Sequence, residues 1–68
     1  RLEVFNQYRP LLLAIAYRML SSVTEAEDMV QEAWLRWQMS EAEVKFPKAY
    51  LSQLITRMCI DYLRPART

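Results

Sequence analysis

The chain has 68 residues, with no glycine, no histidine, three prolines and one cysteine, and a formal net charge of +1 at neutral pH. That length holds one domain at most. The missing histidines and lone cysteine exclude the usual zinc ligand sets and histidine-based triads, and the missing glycines exclude a glycine-rich phosphate loop.

The first predicted helix spans residues 2–20. Pro10 falls inside it, and either kinks the helix or restarts it near that point. Its second half, LLLAIAYRML, is apolar nearly all round, as expected of a helix packed against two others. The longest apolar stretch, residues 11–17, is far too short to span a membrane. With no signal-peptide pattern and no disulfide framework, the expected location is the cytoplasm, with no membrane partner. Residues 21–23 read as a short turn.

The second helix is predicted over residues 24–38. Thr24 is placed to cap it, with Glu27 three residues later closing a capping box. Ala26, Met29, Val30, Ala33 and Trp37 recur at helical spacing and define the buried stripe. Asp28, Gln31, Glu32 and Leu35 lie opposite. A face that only meets water should carry paired lysines and glutamates. This one carries an amide, carboxylates and a bare leucine, a mixture typical of a docking surface.

Residues 39–46, MSEAEVKF, read as a polar loop. Pro47 is placed to start the third helix and Pro65 to stop it near Arg64. Leu51, Leu54, Ile55, Met58 and Tyr62 form its expected core stripe. Gln53, Thr56, Arg57, Ile60 and Arg64 lie opposite, with Tyr50 on the shoulder. Residues 1–40 carry four basic and five acidic side chains, whereas residues 41–68 carry five basic and three acidic ones. The C-terminal part is therefore the anion-facing candidate. Amide, hydroxyl and guanidinium groups suit base edges and phosphates, and an aromatic beside them can stack on an unpaired base. On composition alone, ordinary helix surface with a half-buried Tyr50 accounts for the same pattern.

Nothing in the chain calls for a cofactor, a metal or a small-molecule substrate. Glu27, Asp28 and Glu32 sit on an exposed helix face, where carboxylates do no acid–base chemistry. Cys59, near the edge of the core stripe, fits a small buried hydrophobe better than a nucleophile. The expected protein is not an enzyme. The expected fold is all-α, a small three-helix bundle.

Three blocks, FNQYRPLLLAIAYRML, TEAEDMVQEAWLRW and PKAYLSQLITRMCIDYLR, occur in this order over nearly the whole chain. Together they resemble region two of bacterial RNA polymerase sigma factors of the sigma-70 family, and most closely the extracytoplasmic-function (ECF) group. The resemblance implies a transcription initiation module, with core RNA polymerase and promoter DNA as partners. The helix bearing a D-x-x-Q-E pattern docks in that family on the coiled coil of the β′ clamp. Here the pattern is Asp28, Gln31 and Glu32, continued by Trp34, Leu35 and Gln38. The loop before the last helix and that helix's start capture the non-template strand of the −10 element, which implicates residues 39–46 with Lys45, then Lys48 and Tyr50. Gln53, Thr56 and Arg57 match the positions that meet the element's upstream edge.

The match has departures. Primary sigma factors carry a richer set of aromatics where this chain has Ala49 and Tyr50. The loop holds Phe46 as its aromatic and no asparagine, so no captured base is assigned. Pro65 stands where a small polar residue is usual. A full ECF factor has a second helical domain, so residues 1–68 are expected to be the region-two part of a longer factor. Two other readings remain open: a protein-interaction domain alone, for example one held by an anti-sigma factor, and a small helical bundle that binds duplex DNA.

Overall fold

A computed structural model of the protein describes residues 2–40 and 44–64 and contains three helices: α1 (Leu2–Leu20), α2 (Val23–Met39) and α3 (Pro47–Leu63). No strand is present among the described residues. α1 packs against both other helices, which touch each other less. This agrees with its apolar second half, because a helix covered on two sides needs a wide apolar surface.

Each helix gives four residues to the core. α1 contributes Phe5, Leu12, Ala16 and Leu20; α2 contributes Ala26, Val30, Ala33 and Trp37; α3 contributes Leu51, Ile55, Met58 and Cys59. The alanines bring α1 and α2 close, and the larger chains of α3 fill the space left. No polar or charged residue is buried, and no buried side-chain nitrogen or oxygen lacks a hydrogen bond among the described residues. The bundle is therefore held by apolar packing.

α1 runs from Leu2 to Leu20 with Pro10 inside it, the predicted bounds, and does not restart there. The proline ring is exposed and so is Asn6, whose carbonyl loses its helical partner because Pro10 has no N–H to give. Water can take that acceptor. The α1–α2 turn is only Ser21 and Ser22. Ser21 takes φ 58, the left-handed conformation that closes helices and that glycine usually supplies. Its N–H donates to the Tyr17 carbonyl at 2.7 Å.

Ser22, not Thr24, caps α2. Ser22 is extended (φ −146, ψ 124) and its hydroxyl accepts from the Glu25 N–H at 3.3 Å. Thr24 already lies inside the helix, so the expected box with Glu27 does not form. The Ser22–Glu25 pair has the same spacing and belongs to the true helix start. Met29 and Leu54 are half-buried against the core rather than within it. Tyr62 is 51% exposed. It sits in the last turn of α3 and lines a surface groove with Met29, Glu32, Arg36 and Met58. Cys59 takes the buried place instead. Pro47 opens α3 as expected, with Phe46 as N-cap. The stop at Pro65 lies outside the described residues, as do residues 41–43 of the loop.

Candidate functional site

Two surfaces collect the residues singled out in the sequence. The first is the outer face of α2. Asp28, Gln31, Glu32, Leu35 and Gln38 are all exposed there. The helix places them because its opposite face is occupied by Ala26, Val30, Ala33 and Trp37. Leu35 is 50% exposed, and Met39, one turn further, is 81% exposed. Together they make an apolar spot rimmed by an amide at Gln31, another at Gln38 and a carboxylate at Asp28. Glu32 stands at the edge, 3.4 Å from the Arg36 guanidinium. Both partners are more than half exposed, so this pair contributes little to stability.

Trp34 does not share that face fully. It is half-buried, and its ring lies 5.2 Å from the Phe5 ring at 54°. The Arg9 guanidinium covers Phe5 from another side at 5.2 Å. Trp34 thus joins α2 to α1 and offers only its outer edge. Met39 was missed by the sequence reading because the helix was ended at residue 38. The signal was its i, i+4 spacing from Leu35.

The second surface is α3 and the segment before it. Val44 packs against the core. This anchors the segment and leaves Lys45 and Phe46 exposed, with Phe46 at 73%. Lys48 is exposed in the first turn of α3. Tyr50 is half-buried, its ring 5.7 Å from Trp37 at 51°. One side of the ring is therefore spent on the core, and the more open aromatic is Phe46. Further along, Gln53, Thr56 and Arg57 line an open groove with Ser52, Ile60 and Arg64. The structure thus brings Gln53, Thr56 and Arg57 together, and it places Lys45, Lys48 and Tyr50 at the entry to the same helix.

No group of three or more histidine, cysteine, aspartate or glutamate side chains able to hold a metal occurs among the described residues. Burial pushes the Cys59 thiol above its ordinary range, which keeps it protonated and unreactive. No helix is long and apolar enough to cross a membrane among the described residues.

The family model described as Sigma-70 region 2 matches residues 4–68. The chain is similar to "ECF RNA polymerase sigma factor SigJ" of Mycobacterium tuberculosis, 42% identical over 62 residues that cover 91% of this chain and 20% of that protein. It is also similar to "Probable ECF RNA polymerase sigma factor SigI" of the same species, 32% identical over 65 residues that cover 94% of this chain and 22% of that protein. The chain thus spans about a fifth of the length of these curated relatives. No solved structure gives a significant match.

Proposed function

Because the chain belongs to the sigma-70 region 2 family, in the extracytoplasmic-function group, we propose that it docks on the β′ clamp coiled coil of core RNA polymerase and holds the −10 element of the promoter. Region 2 is a module of transcription initiation sigma factors. The finer assignment rests on one observation. The outer face of α2 presents Leu35 and Met39 to solvent inside a rim of polar side chains that, among the described residues, make no side-chain bonds save Glu32 to Arg36. An apolar centre with a polar rim is the anatomy of a protein interface.

In this account α2 supplies the contact with polymerase and α3 the contact with DNA. Leu35 and Met39 bury against the coiled coil. Asp28, Gln31, Glu32 and Gln38 bond around them, and Trp34 adds its free edge. Lys45 and Lys48 hold phosphates of the non-template strand. Phe46 and the open side of Tyr50 offer faces on which unpaired bases stack. Arg57 holds a phosphate beside Gln53 and Thr56, which meet base edges where duplex gives way to single strand. Holding unpaired bases this way favours the melted state, because duplex DNA cannot make the same contacts.

Titration of the chain against purified core RNA polymerase tests the docking reading. Leu35→Ala or Gln31→Ala at the centre of the face should each weaken binding by more than about 1 kcal/mol, with helicity retained because both sites are exposed. Unchanged affinity in both variants would place the docking face elsewhere. An anti-sigma partner that competes with core polymerase for the same face would be disrupted by the same substitutions.

A further inference from the structure

The α3 groove contains one apolar side chain that the assignment above does not use. Ile60 is 45% exposed. It lies one helical turn beyond Thr56 and one turn before Arg64, with Arg57 and Asp61 beside it. Its neighbours in the groove carry a hydroxyl, two guanidinium groups and a carboxylate. Arg57 and Arg64 are positioned to hold phosphates on either side. Asp61 forms no ion pair among the described residues, so its carboxylate repels phosphate from the spot next to Ile60. A DNA duplex seated between the arginines would therefore present a groove edge, not its backbone, to Ile60.

In the major groove the one apolar group is the C5-methyl of thymine. Ile60 is about 6 Å along the helix axis from Thr56. The direction leads away from the strand-capturing end of α3 into the duplex. We infer that Ile60 is a specificity-determining residue that reads a thymine methyl in the duplex upstream of the pair met by Thr56. The inference rests on the proposed role of α3 as the DNA-facing helix. Charge favours DNA as the occupant, because Lys45, Lys48, Arg57 and Arg64 flank or lead into the groove and Asp61 is its one acidic lining residue.

The test uses the chain bound to core RNA polymerase. Fork-junction DNA with a randomised upstream duplex edge is selected for binding, and the selected forks are remade with deoxyuridine replacing each thymidine in turn. The parent should prefer thymidine to deoxyuridine at one upstream position by about three- to fourfold, the effect of one buried methyl-sized group. Ile60→Ala should erase that preference, and Ile60→Val should retain it. Arg57→Ala should weaken binding to all forks alike. A parent that ignores the methyl at every position, or an Ile60→Ala variant that keeps the preference, overturns the role of Ile60 while the Arg57 result still supports α3 as the DNA helix. If Arg57→Ala and Gln53→Ala both leave fork binding unchanged, the proposed DNA face itself is wrong, and the role of Ile60 falls with it.

Discussion

Ile55 is fully buried in α3, within the core cluster to which α1 and α2 also contribute. Ile55→Ala removes three carbons, each worth about 0.8 kcal/mol of transfer free energy. The cavity left behind adds to that, and the better helix propensity of alanine returns a few tenths. The expected loss is roughly 2–5 kcal/mol. A chain this short has roughly 3–10 kcal/mol to lose, so the variant should be marginal. Taking about 3 kcal/mol, the melting temperature should fall by roughly 12–24 °C for a domain of this size. Leu54→Ala, at a half-buried position, should lose about half as much by the same area argument. Tyr62→Ala, at a position 51% exposed, should lose less than about 1 kcal/mol. Circular dichroism melts in urea and heat measure all three. A Tyr62→Ala variant less stable than Ile55→Ala would refute the core assignment, since the order follows from burial alone.

The caps give a sharper local test: Ser22→Ala should cost about 1 kcal/mol, whereas Thr24→Ala, inside the first turn, should change the urea midpoint little, and the opposite order would restore Thr24 as the cap. For DNA, Tyr50→Ala should lose roughly 1 kcal/mol of stacking, near the low end because one side of the ring rests on Trp37; strand opening by polymerase with the variant measures it, and full opening activity would assign base capture to Phe46 and the segment before α3. Lys48→Ala should weaken all sequences alike and lower the slope of log affinity against log salt by about 1, so a sequence-selective loss would contradict a phosphate contact. Because burial raises the Cys59 thiol, its contribution to stability is intact below the ordinary thiol value of about 8.5 and declines as pH rises beyond it. The urea midpoint should fall as pH rises beyond that value, and less so in Cys59→Ala; an identical fall in both would assign the effect to other groups.

Most of the fold was legible because its signals are periodic. The apolar spacing in each helix is a direct record of which face is covered, and Pro47 marks a start that few other residues can make. The errors fall where a local rule had two candidates or where cover ends. Ser22 and Thr24 both fit a cap, and only backbone geometry chooses between them. Tyr62 has the right phase for the core, yet it lies in the last turn of α3 at the edge of a groove beside α2 and stays half exposed. At the proposed binding surfaces, phase placed the exposed side chains of α2 and α3, but it could not show that Trp34 is held by Phe5 or Tyr50 by Trp37. Aromatic contacts between helices depend on how the bundle closes, which no single helix encodes.

The central claim is that the outer face of α2 meets the β′ clamp. A photocrosslinking amino acid in place of Leu35, in the chain bound to core RNA polymerase, tests it most directly. The expected result is a single strong adduct to the β′ subunit, mapping within the clamp coiled coil, and no such adduct when the same group replaces Tyr17, which is exposed on α1 and lines a groove with Val23 and Ala26 rather than with Leu35 or Met39. An adduct to another subunit from position 35, or a β′ adduct from position 17 alone, would contradict it.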